Sequence, residues 1–246
     1  MIEVKNVWKS FERNEVLRGV SINIDKGETV AIVGSSGCGK TVLLKHILGL
    51  LQPDKGEVWV DGININENLS HLFEIRKKFG MVFQSSALFD SLTVLENVII
   101  GIREHFPKMD IKKMEEIGRE KLALVGLTEE SFDKKPQELS GGMKKRVAIA
   151  RAISLDPDYI IYDEPTTGLD PIMCDKMNNL MIHLKEQLGK TTIMVTHDLH
   201  SAFKVADRIA MLSEGKIVFD GTPGEALKTK NISMKMFIKS SSLSLD

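Results

Sequence analysis

Gly34-Ser35-Ser36-Gly37-Cys38-Gly39-Lys40-Thr41 follows the apolar run Thr29-Val30-Ala31-Ile32-Val33 and opens Val42-Leu43-Leu44-Lys45-His46-Ile47-Leu48. A short β-branched run bounded by glycine reads as a buried strand, and the later run as a helix. The glycine-rich stretch is then a strand-to-helix loop. Gly34, Gly37 and Gly39 can take backbone conformations closed to other residues, so successive amides can curl around an anion at the positive end of the helix. Lys40 adds a point charge for the outer phosphates, and the Thr41 hydroxyl is a hard oxygen suited to Mg²⁺. At this composition chance supplies roughly 0.02 matches to GxxxxGK[ST] per chain, so a mere tight turn with an exposed lysine is a poor account. The pattern predicts a nucleoside triphosphate site.

Composition narrows the surroundings. The chain has 246 residues, 42% apolar and 27% charged, with 33 basic against 34 acidic side chains and a net charge of −1. That is ordinary globular usage, long enough for one large core, and nothing in it advertises nucleic acid. No apolar run reaches the roughly 18 residues that a membrane span needs. Met1-Ile2-Glu3-Val4 lacks the charge-then-apolar layout of a secretory leader, so a soluble, cytoplasmic chain is expected. Cys38 and Cys174 are too few and too far apart for a disulfide framework or a metal cluster.

Working outward, Ile2-Glu3-Val4 and Ser21-Ile22-Asn23-Ile24 alternate like strands, and Phe11 lies 29 residues before Lys40 at a strand end. Phe11 could stack on a base or sit half-buried in a sheet. Glu57 to Val60 reads as a strand running into the turn Asp61-Gly62, with Trp59 in the core, and residues 69–78 as a short charged helix. Phe79 to Phe83 is a strand followed by Gln84. Residues 93–155 are helical in period: Thr93 caps one helix, and Asp110 caps another whose face is Ile111, Met114, Ile117 and Leu124 and which stops at Gly126.

Leu139-Ser140-Gly141-Gly142-Met143 is a second glycine-rich helix start and, by the same dipole argument, a second place for phosphate oxygens. The basic trio Lys144, Lys145 and Arg146 behind it reads as a solvated face. Tyr159 to Tyr162 is an apolar strand ending in Asp163-Glu164, a layout that presents one carboxylate near Mg²⁺ and another to a water. Asp170 caps a helix with Pro171 in its first turn, whose core face runs Ile172, Met173, Met177, Leu180, Met181, Leu184 and Leu188. Thr191 to Val195 delivers Thr196-His197-Asp198. A hairpin spans Arg208 to Phe219, Thr222-Pro223-Gly224-Glu225 is a capping box, and the tail after Asn231 reads as frayed.

Taken together, the glycine loop, Gln84, Leu139-Ser140-Gly141-Gly142, Asp163-Glu164, Gly168-Leu169-Asp170 and His197 resemble the ATP-binding subunit of ABC transporters, over nearly the whole chain from Ile2 to about Leu227. The resemblance implies an α/β fold: a RecA-like P-loop core with an N-terminal antiparallel β-subdomain and an inserted α-helical subdomain. As one ABC ATPase domain over 1–246, the lobes would be 1–84 with 158–230, the helical signature lobe 85–157, and a tail 231–246. It further implies that Phe11 stacks on adenine and that Gly34, Ser35, Ser36, Gly37, Cys38, Gly39, Lys40 and Thr41 hold the phosphates of ATP. Thr41, Gln84 and Asp163 would serve Mg²⁺, Glu164 would be the general base and His197 the γ-phosphate sensor. Ser140, Gly141 and Gly142 would cap the nucleotide of a second, head-to-tail copy, with Asp170 communicating across that dimer.

The family usually carries Gln after the signature glycines, and here Met143 stands in its place. Phe83 to Leu92, LSGGMKKRVAIARA and DEPTTGLDP are similar to the ATPase of Mla-type, Mce-associated phospholipid transporters. That implies a peripheral subunit on the cytoplasmic face of the inner membrane beneath a permease, with a periplasmic Mce-type lipid-binding subunit and a small cytoplasmic accessory subunit as further partners, moving phospholipid between inner and outer membranes. Transport of another solute and a soluble, non-transport ABC ATPase are the alternatives. Only one cassette is present, with 54 residues between Gln84 and Leu139, too few for the long coiled coil of repair ATPases. A GTPase would want an Asn-Lys-x-Asp guanine reader, and none occurs.

Overall fold

The computed structural model describes residues 1–12, 14–67 and 72–241. In chain order the elements begin β1 (Ile2–Phe11), β2 (Asn14–Ile24), β3 (Thr29–Val33), α1 (Lys40–Ile47), β4 (Lys55–Val60), β5 (Ile63–Asn64) and α2 (Leu72–Lys77). They continue with β6 (Phe79–Val82), α3 (Val94–His105), α4 (Ile111–Leu124), α5 (Gly141–Ala152), β7 (Tyr159–Asp163) and α6 (Pro171–Leu188). The last are β8 (Thr191–Thr196), α7 (Leu199–Val205), β9 (Arg208–Ser213), β10 (Lys216–Gly221), α8 (Pro223–Lys228) and α9 (Ile232–Ser240). Two compact units share these elements: Met1–Arg76 with Met181–Asp246, and Lys77–Leu180.

The first unit holds an antiparallel sheet in the order β2-β1-β4-β5. Ile2 sits opposite Ile24 on one side and Val60 on the other, so Ile2, Val4, Val20, Ile24, Val58 and Val60 face one way and are buried. Trp59 takes the opposite face. It is half-buried, not core as expected, because strand alternation turns it outward, where Lys5 lies 4.9 Å over its ring and Glu57 accepts from its Nε1 at 2.8 Å.

The same unit contains β3 between β8 and β9, both parallel to it, with β10 antiparallel to β9. Every residue of β3 and β8 is buried, as expected for strands covered on both faces. Glu214 (φ 49°) and Gly215 (φ 75°) make the tight turn between β9 and β10. The tail does not fray up to Ser241. Asn231 caps α9 through Met234 N at 3.0 Å, and Met234 and Ile238 are buried. Residues 242–246 lie outside the described residues, as do 68–71, so the expected helix at 69–78 is described only as α2.

In the second unit β6 and β7 pair in parallel, Val82 opposite Tyr162. A Cβ on Gly80 would lie 2.1 Å from the Ala152 carbonyl oxygen, so that glycine lets α5 seat on β6. The 93–155 segment is three helices with two 3₁₀ turns, Glu129–Ser131 and Pro136–Glu138, rather than helix throughout. The buried face of α4 is Met114, Gly118 and Leu122, one position round from expectation, and Ile111 is exposed. On α6, Met177, Leu180, Met181 and Leu184 are buried but Ile172 is exposed. Among the described residues no helix is long and apolar enough to cross a membrane.

Candidate active site

The glycine loop belongs to the first unit. Gly34 (φ 156°), Gly37 (φ 79°) and Gly39 (φ 110°) all take the conformations anticipated for them. Two are also required by close approach. A Cβ on Gly34 would stand 2.3 Å from the Leu212 carbonyl oxygen of β9, and one on Gly39 would stand 2.9 Å from Leu17 of β2. Neighbouring strands thus press the loop into a cradle. Ser35, Ser36, Gly37 and Thr41 are exposed on it, while Lys40 is only 7% exposed and its Nζ donates to the carbonyls of Gly34 at 2.8 Å and Ser35 at 3.0 Å. Gly39 N-caps α1 without any side-chain hydrogen bond, and the first turn carries no acidic residue. No carboxylate of that turn competes for the positive end of the helix, which suits a phosphate.

Val33 is in register with Thr196, so the loop after β3 and His197 after β8 leave the same carboxyl end of these parallel strands. His197 is exposed, and the next residue fixes its backbone: Asp198 caps α7, accepting from His200 N at 3.0 Å and Ser201 Oγ at 2.5 Å. Phe11 is 45% exposed at the tip of β1, with Lys9 Nζ 5.6 Å from its ring centroid. Its open face is what a base-stacking side chain needs.

The second unit carries the remaining candidates. Gln84 follows β6 and is exposed, and Asp163 ends β7. Glu164 has φ 50°, a left-handed conformation uncommon for a residue with a Cβ, and its Oε2 accepts from Thr167 Oγ1 at 3.2 Å. Ser140 caps α5, accepting from Met143 N at 3.3 Å. That bond uses the backbone of residue 143, so the methionine side chain is immaterial to it. A Cβ on Gly142 would lie 2.3 Å from Met173 Cε, which places the signature turn against the start of α6, where Asp170 accepts from Met173 N at 3.0 Å.

Two of the basic trio depart from the solvated face expected of them. Lys145 is buried, and its Nζ donates to the Gln84 carbonyl at 2.5 Å. Arg146 donates to the Val125 carbonyl. Burial pushes the Lys145 ammonium down from its ordinary pKa, against the pull of the Asp163 and Glu164 carboxylates. The signal was available, because helical period puts Lys145 with Gly142, Ile149 and Ala152 on the buried side of α5. Arg151, further along α5, donates to the carbonyls of Ser86 at 2.8 Å and Ala87 at 2.6 Å, both in left-handed backbone.

The family model for the ABC transporter matches residues 17–167. The chain belongs to the ABC transporter family. It is an ABC-type ATPase and carries the α/β fold that the sequence implied. Among solved structures, the dimeric post-hydrolysis state of the ATP-binding cassette MJ0796, bound to ADP and Pi, superposes with a TM-score of 0.82 at 37% identity, covering 91% of this chain and 99% of that one. The intermembrane phospholipid transport ATP-binding protein MlaF of Haemophilus influenzae is 40% identical over 245 residues, 98% of this chain and 91% of its own length. The probable ribonucleotide transport ATP-binding protein mkl of Mycobacterium leprae is 40% identical over 94% of this chain, which spans 66% of that protein's length. The glutamine transport ATP-binding protein GlnQ of Escherichia coli is 42% identical over 93% of this chain and 94% of its own length. Overall identity to ABC ATPases therefore does not separate lipid from amino-acid cargo.

Proposed function

We propose that this ABC ATPase powers phospholipid movement between two membranes, working as a head-to-tail homodimer on the cytoplasmic side of an inner-membrane permease. The observation that carries the ATPase part is the glycine cradle pressed around Lys40 at an α1 terminus with no side-chain cap. The lipid assignment is supported by the MlaF relative, matched along nearly its whole length, and by the stretches from Phe83 to Leu92, through LSGGM, to DEPTTGLDP.

In this reading Phe11 stacks on adenine, and the amides from Gly34 to Thr41, with Lys40, hold the phosphates. Thr41, Gln84 and Asp163 each supply a hard oxygen, the donor type Mg²⁺ takes. When bound, the ion would neutralise charge on the phosphate oxygens. Glu164 orients a water and takes its proton as the water oxygen bonds to the γ-phosphorus and the bond to the ADP oxygen breaks. His197 donates to a γ-phosphate oxygen. Ser140, Gly141 and Gly142, on the lobe 85–157, cap the γ-phosphate held by the other copy, and Asp170 lies beside that contact. Closure by ATP and reopening after hydrolysis would drive the permease.

Isolation with the native permease tests the cargo. The lipid reading expects co-purified phospholipid and ATPase activity that rises with phospholipid vesicles and not with free glutamine. GlnQ-like similarity favours the rival, an importer of a polar amino acid; stimulation by glutamine and a lipid-free complex would establish that instead.

A further inference from the structure

Lys145 occupies the second turn of α5, whose first residue follows the Ser140 cap. At 5% exposure its ammonium has lost most of its water, and a buried cation must find oxygen partners in the protein. It finds two backbone carbonyls on two different loops: Gln84 after β6 at 2.5 Å, and Glu164 after β7 at 3.5 Å. The first is a short, charge-assisted bond and the second a long one. Glu164 is held in left-handed backbone, a conformation unfavourable for a residue with a Cβ that persists only where its surroundings impose it. The Thr167 amide donates to the same Glu164 carbonyl at 3.3 Å, and the Thr167 hydroxyl to the carboxylate. Lys145 is thus among the groups that fix this turn, and it ties the turn to the Gln84 loop.

We propose that Lys145 is a positioning residue for ATP hydrolysis: by bridging the carbonyls of Gln84 and Glu164 from the signature helix, it holds the strained carboxylate turn and the glutamine loop in one arrangement. The proposal rests on the reading of Glu164 as base. Because Ser140 caps α5, the same rigid helix connects the turn proposed to meet a second copy's nucleotide with the carboxylate of this chain's own site. A merely structural lysine would lower stability and ATP binding together. A positioning lysine lowers turnover and leaves binding.

The full-length protein is compared as wild type, Lys145→Met, Lys145→Gln, Lys144→Met and Glu164→Gln. In Lys145→Met, ATP affinity by fluorescent-nucleotide titration should stay within about 3-fold while turnover falls roughly 100-fold, the scale expected when a reacting group is misplaced by about an ångström. Lys145→Gln, which keeps a donor, should recover about a tenth of wild-type turnover or more. Without nucleotide, amide hydrogen exchange at residues 84–87 and 164–167 should quicken in Lys145→Met and not in Lys144→Met. Wild-type turnover with unchanged exchange in Lys145→Met overturns the proposal, as does an equal loss of affinity and turnover. If Lys145→Met does not fold, Lys145→Gln decides by the same comparison of affinity with turnover. Glu164→Gln separates the two readings. Turnover kept in that variant removes the base assignment, and turnover kept in Lys145→Met while Glu164→Gln is inactive removes the role of Lys145 alone.

Discussion

Cys38 belongs to the glycine loop: its Sγ lies 2.8 Å from where a Gly34 Cβ would be, and its amide donates to the Ser35 carbonyl at 3.3 Å, so the thiol is part of the segment proposed to hold the phosphates. N-ethylmaleimide attached there should block ATP binding, and saturating MgATP should slow the labelling; equal rates with and without nucleotide would contradict this placement. His46, on the buried side of α1, makes a second residue-scale prediction. Its Nδ1 bonds the Leu51 carbonyl at 2.8 Å and must therefore donate, while Nε2 is buried with no partner among the described residues. Burial holds the ring below its ordinary pKa, assisted by Lys9 and opposed by the Leu51 bond and by Asp54. A depressed value means that His46 contributes stability above about pH 6.5 and that this is lost as pH falls through the lower folded-state value. Urea midpoints at about pH 7.5 and about pH 5.5 should differ more in wild type than in His46→Gln. Equal differences would show that His46 is not held neutral.

At the scale of elements, α9 is where expectation and structure part, and the reason is tertiary. Serines and the chain's end suggested fraying, but Met234 and Ile238, four residues apart, both find buried positions once Asn231 fixes the start. Met234→Ala should cost about 2–5 kcal/mol, read as a lower urea midpoint, and Met236→Ala, at a site 66% exposed, should cost little. Equal effects would mean that α9 is not docked as described. Signals that act within a few residues were legible: β3 and the loop after it, the Thr93 cap, the box at Thr222–Glu225, the Asp170 cap, and the hairpin around Glu214-Gly215. What was not legible depends on partners distant in sequence. The pairing of β1 with β4, the outward turn of Trp59, and the inward turn of Lys145 to Gln84, 61 residues away, are set by neighbours that no local pattern names. Helical phase places Lys145 on the buried side of α5, although its charge points to solvent.

For the molecule as a whole, the governing fact is that one chain carries one glycine cradle and one signature turn. Under the proposed function two complete sites require two chains, with ATP as the joint between Lys40 of one and Ser140 of the other. Phe89, 50% exposed in a loop whose backbone Asn97 pins at 2.8 and 3.1 Å, presents an apolar group from a fixed position, where the proposed permease would dock. Phe89→Asp should leave ATP binding by the isolated subunit intact and abolish its recovery with the permease; normal recovery would exclude that surface. In the proposed function Glu164 is the base of an ATP-joined dimer. Asp163→Asn should weaken nucleotide binding itself, whereas Glu164→Gln keeps shape and loses only basicity. The decisive measurement is turnover, ATP affinity and mass by light scattering on Glu164→Gln, with and without the permease. Turnover should fall about 10²- to 10⁴-fold while affinity is retained and an ATP-filled dimer accumulates; near-wild-type hydrolysis with no dimer would contradict Glu164 as the base.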